Sequence, residues 1–186
     1  MRQNFLFGVI ALLGMVPAFA AADNVEIVLE DKLDGNLNGY CIDIMGGGQN
    51  IDPSRGLQAH TCYSYRGDLG PDQAVDPASI TEGKIHIVGF DVCATMEGLD
   101  EGAAVALSAC DDNTLQQFNF AHSGNISPLG APNMCLTAGK ETTFGRNGTS
   151  PHQIKTLSLQ ACSDELAGYQ QWTSRTQAAY DSQQAK

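Results

Sequence analysis

The chain is poor in basic residues. Lys and Arg number 10 against 21 Asp and Glu in 186 residues, a formal net charge of −11. Nucleic acids and anionic membrane surfaces are met by clustered cations, so this balance excludes both as main partners. It leaves neutral ligands or basic protein surfaces. Aromatics make up 7% of the chain and Trp172 is the sole tryptophan. Short C-x-x-C spacing is missing: the closest pair, Cys93 and Cys110, is 17 positions apart. That excludes a zinc knuckle. The four histidines, His60, His86, His122 and His152, form neither H-x-x-x-H nor H-E-x-x-H, and no G-x-S-x-G elbow is present. No metal, no cofactor and no enzymatic activity are therefore expected. Beyond the N-terminus no apolar run approaches the roughly 20 residues a membrane helix needs, so no membrane insertion is expected. Nor does any later segment sustain the i, i+3, i+4 pattern of an amphipathic helix.

What the chain does have begins at its N-terminus. Arg2 precedes an apolar run over residues 5–16, broken by Pro17 and followed by Ala18-Phe19-Ala20. Positive start, short apolar stretch and small-residue site together read as a cleaved signal peptide over residues 1–20. An exported chain, secreted or periplasmic, meets an oxidising compartment, where an even set of six cysteines reads as three disulfides. Spacing alone leaves their pairing open.

The remaining chain repeats an order of features three times. The first set is Gly39-Tyr40-Cys41-Ile42-Asp43-Ile44, then Leu57-Gln58-Ala59-His60-Thr61-Cys62, then Asp72-Gln73-Ala74-Val75. The second is Asp91-Val92-Cys93-Ala94-Thr95-Met96, then Val105-Ala106-Leu107-Ser108-Ala109-Cys110, then Gln116-Gln117-Phe118. The third is Met134-Cys135-Leu136-Thr137, then Leu157-Ser158-Leu159-Gln160-Ala161-Cys162, then Gln170-Gln171-Trp172. Short alternating strands, such as residues 25–29, 84–88 and 105–107, separated by Gly, Asn, Asp and Pro, predict an all-β fold. Unequal gaps place variable loops at residues 46–55 and 142–154. Residues 177–186 are polar and read as a frayed tail.

This ordered set resembles the ricin-type lectin family, marked by Gln-x-Trp: intact at Gln170-Gln171-Trp172, softened to Phe118 and to Val75 in the other two repeats. The family's Gly-x-Ile strand start is similar to Gly83-Lys84-Ile85 and Gly124-Asn125-Ile126. The resemblance implies a β-trefoil over residues 21–176, with one disulfide within each repeat: Cys41–Cys62, Cys93–Cys110 and Cys135–Cys162. The chain is then a divergent member.

The resemblance also implies where a sugar would sit. The family's working site has an Asp two residues after the first Cys, a Gln and a ring on the strand before the second, and a polar residue before the motif glutamine. The first repeat supplies Asp43, Gln58, His60, Asp72 and Gln73, with His60 standing for a larger ring and Asp72 for an Asn. A carboxylate accepts from two adjacent hydroxyls, an amide fixes orientation and a ring stacks on the apolar sugar face. The second and third repeats carry Thr95 and Thr137 at the Asp position and look silent. The expected function is an exported carbohydrate-binding protein with one pocket for a neutral glycan. The alternative is a non-lectin trefoil that binds proteins as an inhibitor, receptor ligand or toxin-delivery subunit. Its candidate surfaces are the two variable loops.

Overall fold

A computed structural model describes residues 23–185; the expected signal peptide lies outside them. Fourteen short strands follow in order: β1 (Glu26–Leu29), β2 (Tyr40–Ile44), β3 (Leu57–Thr61), β4 (His86–Ile87), β5 (Val92–Met96), β6 (Val105–Ser108), β7 (Phe118–Asn119), β8 (Ser123–Asn125), β9 (Ser127–Pro128), β10 (Met134–Ala138), β11 (Thr143–Phe144), β12 (Gln153–Lys155), β13 (Leu157–Ala161) and β14 (Gln171–Arg175). Helix is limited to α1 (Pro77–Thr81), α2 (Ala167–Gln170), α3 (Gln177–Gln184) and several 3₁₀ turns.

The three-fold repetition is visible in the register. Each repeat folds as one hairpin, β2–β3, β5–β6 and β10–β13. In each, the first cysteine lies opposite the residue two before the second: Cys41 against His60, Cys93 against Ser108, Cys135 against Gln160. This common register brings the two sulfurs together at the hairpin end. The disulfides are Cys41–Cys62, Cys93–Cys110 and Cys135–Cys162, as the resemblance implied, and none of the cysteines is free.

The motif glutamines, all fully buried, explain why three different turns share one shape. Each side-chain oxygen accepts the backbone N–H just after its repeat's second cysteine, and each amide donates to the carbonyl just before it. Gln73 does so with Tyr63 and Thr61, Gln116 with Asp111 and Ala109, Gln170 with Ser163 and Ala161. Two residues on, Val75, Phe118 and Trp172 enter one core with Ile42, Met96 and Leu136 from the three hairpins. Ile85 and Ile126, from the two Gly-x-Ile starts, join them. The motif thus builds the fold, by satisfying turn backbone groups inside the protein.

Strand β1 pairs antiparallel with β14, joining the two ends of the described chain. The third repeat's insertion does not stay within its own repeat. Residues 142–154 form the hairpin β11–β12, and β12 adds to β3, so Ile154 lies opposite His60 and Lys155 opposite Ala59. The sheet order is β11-β12-β3-β2-β1-β14-β8. A polar knot around the buried Lys155 fixes this graft. Lys155 sits under the Tyr40 ring, donates to Thr142 and pairs with Asp34, whose carboxylate also accepts from the Tyr40 and Thr142 hydroxyls. Burial works against ionisation of Asp34, yet the bonds from Thr142, Tyr40 and Lys155 bring it down to about 2.

Two local expectations change. The strand over residues 84–88 shortens to β4, because the chain turns at Val88–Phe90 and Asp91 adopts a left-handed conformation. The tail at 177–186 contains α3, an eight-residue helix whose N-terminus is capped by Thr176. It has no buried residue and so no apolar stripe to announce it. Among the described residues no helix is long and apolar enough to cross a membrane.

Candidate functional site

The hairpin register sets the candidate residues. Asp43 lies directly opposite Gln58 on the β2–β3 pair, while His60 is opposite Cys41. Gln58 Nε2 donates to Asp43 Oδ1 at 2.7 Å, and Gln73 Nε2 donates to Asp43 Oδ2 at 2.9 Å. Asp72 stands against the same carboxyl. Four of the five residues expected from the sequence therefore meet at the Asp43 carboxyl, and His60 stands two residues beyond Gln58 on the same strand.

They do not converge on open solvent. Asp43 and Gln73 are 0% exposed, Asp72 2% and His60 4%. The cover is built from residues that flank the repeat. Tyr63, the residue after Cys62, has its ring 5.3 Å from His60 and 5.7 Å from His152. The corresponding positions in the other repeats are Asp111 and Ser163, so a large ring here is particular to the first repeat. Arg66 lies 4.5 Å over the Tyr63 ring. His152, delivered by the third-repeat insertion, packs edge-on to His60 at 5.2 Å. Gly70, at φ +72, passes so close that a Cβ would come within 2.7 Å of the Tyr63 ring and 3.0 Å of Asp72. Gly70 thus packs directly against both Tyr63 and Asp72.

Enclosure governs the protonation of the cluster. Burial, then the neighbouring charge of Asp72, pushes Asp43 well above the usual carboxylate range. Asp72 is raised too, first by burial. Two carboxyls in contact inside a protein cannot both ionise without a large penalty, so the pair holds a shared proton. Burial lowers His60 to about 4, so the ring is neutral and can present its face to a ligand. Burial and then the carboxylates of Asp43 and Asp72 raise the Tyr63 phenol.

A stability prediction follows with its sign. A raised folded value means that the pair's contribution is complete below the unfolded value of about 4 and is lost as pH rises through the folded value. Asp72→Asn replaces an opposing acceptor with a donor. It is expected to stabilise the fold by about 1–3 kcal/mol at pH 8, where the acceptor clash is present, with little gain at pH 3.5. Thermal melts at the two pH values check this, and an equal gain at both would remove the shared-proton explanation.

The equivalent positions elsewhere differ. Thr95 Oγ1 meets Ser108 Oγ at 2.8 Å, and Thr137 Oγ1 accepts from Gln170 at 3.0 Å. Neither repeat places a carboxylate there. Among the described residues, the grouping with metal-ligand spacing is Glu26 with Cys41 and Cys62. Those sulfurs are tied in a disulfide and offer no thiolate. Two grooves, of about 870 and 670 Å³, lie on either side of α3, away from Asp43. Sequence reasoning missed Tyr63, Arg66 and His152. Comparing the residue after each second cysteine would have exposed Tyr63. Nothing in the first repeat signals His152, which arrives from a loop some ninety positions later.

The sequence matches the ricin-type beta-trefoil lectin domain over residues 31–146 and again over 81–186. The chain belongs to that family. Its fold is similar to that of an earthworm lectin C-terminal domain mutant solved with 6'-sialyllactose, 18% identical, covering 83% of this chain and 99% of that one with a TM-score of 0.52. It is also similar to the Haemophilus ducreyi cytolethal distending toxin, 16% identical, covering 86% of each chain with a TM-score of 0.51. No curated protein matches the chain in sequence. At these identities the two structures speak to the β-trefoil fold of this family member and to nothing finer.

Proposed function

We propose that the protein is an exported lectin whose first repeat carries its sugar site, and that the described conformation is the closed form of that site. The observation that carries this is Asp43, held by amides on both oxygens at the position that is threonine in the other two repeats. Each carboxylate oxygen keeps a second lone pair. Once Tyr63 swings away, Asp43 accepts from two adjacent sugar hydroxyls while Gln58 orients the ring and His60 stacks against it. Binding needs the ionised carboxylate, so it fades as pH falls, beginning above the usual carboxylate range because Asp43 is raised by burial and by Asp72. The three disulfides suit an oxidising compartment, which supports export. A binding role rather than catalysis is favoured, since the site offers recognition groups and no activated nucleophile.

A glycan array with the wild type and Asp43→Ala tests the reading. Binding in the wild type, lost by at least tenfold in the variant, is the expected outcome; a single charge-assisted contact of this kind is worth roughly that much. No bound glycan would sink the proposal. It would favour the competing reading, a protein-binding trefoil, which draws on the closure of Asp43 from solvent.

A further inference from the structure

Beside the first-repeat site the acidic chain carries two exposed arginines. Acids outnumber bases about two to one, so a surface cation has carboxylates in surplus to pair with. Lys84, Lys155 and Arg175 do so, with Asp112, Asp34 and Glu26. Arg66 and Arg146, like Lys32, Arg55 and Lys140, are exposed and make no ion pair among the described residues.

These two arginines reach one surface from different repeats. Arg66 follows the turn after Cys62. It lies 4.5 Å over the Tyr63 ring and 5.8 Å from the Tyr65 ring, and its Nε donates to Tyr65 Oη at 3.4 Å. Tyr65 Oη in turn meets His152 Nε2 at 2.8 Å. Arg146 sits at the tip of the β11–β12 hairpin. The preceding residue, Gly145, donates its N–H to the His152 carbonyl at 3.0 Å, which brings the tip beside the same imidazole. Arg146 and Asn147 both take left-handed conformations, φ 51 and 53, rare for residues with side chains, so the tip is held in a defined turn. His152 is lowered, first by burial and then by the charges of Arg66 and Arg146. The charges of the exposed Asp68 and of the buried Asp72 also act with Arg66, neither as an ion pair.

We propose that Arg66 and Arg146 form an anion subsite on the rim of the first-repeat pocket, so that the preferred glycan carries an acidic group, a carboxylate or a sulfate ester, on or next to the bound sugar. This rests on the first repeat being the sugar site. Guanidinium matches both anions through paired N–H donors, and the Nη groups of Arg66 have no carboxylate partner to displace. The sugar's hydroxyls then go to Asp43 and Gln58, its apolar face to His60, and its anion outward to the arginines. The acidic surface elsewhere repels such a ligand, so the two arginines set where and in what orientation it lands.

The test compares matched glycans that differ only in the anion: neutral, carboxylated (sialylated or uronic) and sulfated, each measured on the wild type and on Arg66→Gln/Arg146→Gln. The quantity read is the ratio of acidic to neutral affinity within one protein sample, which a general loss of folded material does not change. The expected wild-type ratio is roughly 10- to 100-fold. It falls toward one in the double variant and, in the wild type, as salt rises. The carboxylated and sulfated arms tell which anion the subsite takes. Equal or better binding of neutral glycans by the wild type overturns the subsite while the lectin reading stands. An acidic preference that survives the double substitution also overturns it. No glycan bound at all removes both.

Discussion

Trp172→Ala is expected to destabilise the protein by about 3–5 kcal/mol, the usual cost of removing a large buried aromatic. Trp172 is fully buried and is the largest side chain in the core. Its indole N–H donates to the Leu136 carbonyl at 2.9 Å, and its backbone faces Leu29 across the β1–β14 pair. It therefore ties the third hairpin to the strands that join the chain ends. Trp172→Phe keeps part of the ring, as Phe118 does in the second repeat, but orphans that carbonyl. It should cost roughly 1–3 kcal/mol. Because Trp172 is the chain's sole tryptophan, urea titrations should be followed by far-ultraviolet circular dichroism rather than by fluorescence. A loss below about 1 kcal/mol for the alanine variant would mean that the three repeats do not share one core.

Most of the fold was legible because a trefoil repeats its solution. The cysteines, the strand before each second cysteine and the motif glutamine recur in fixed order, and the backbone realises that order as one register, with Asp43, Thr95 and Thr137 all opposite the residue four before the second cysteine. Position within a repeat was thus readable, including the disulfides. Contacts between repeats were not. The hairpin β11–β12 has ordinary loop composition, and its docking onto β3 depends on the Lys155–Asp34–Tyr40 knot, whose members are more than a hundred positions apart at their extremes. Helix α3 escaped for the opposite reason: it has no apolar face, and it holds through the Thr176 cap, a bond from Gln177 to the Ser64 carbonyl, and Tyr180 under Arg175.

The site divides the same way. Its floor, Asp43 with Gln58 and Gln73, follows from positions within one repeat and was readable. Its cover was not, since His152 comes from the third repeat and the Tyr63 ring packs against the chain at Gly70. The sequence consequently suggested an open pocket where the structure holds a covered one.

The buried pair of Glu26 and Arg175 carries the second large effect. The two residues face each other at the end of the β1–β14 ladder, and Arg175 Nε donates to Glu26 Oε1. Glu26 is fully buried, and Ser64 donates to the same oxygen at 2.8 Å, while Oε2 has no partner. Taking Glu26 out of water is costly, and Arg175 is its main compensation. Arg175→Met preserves most of the packing volume but strands the carboxylate. It is expected to cost about 3–5 kcal/mol, the range for breaking one side of a buried pair. Glu26→Leu/Arg175→Met removes both charges and should recover most of that loss, since well-packed apolar replacements of buried pairs are often neutral or better. The double-mutant cycle, read by denaturant unfolding, isolates the coupling. A single Arg175→Met that leaves stability within about 1 kcal/mol would show that water reaches Glu26 and that the join between the chain ends rests on the strand ladder alone.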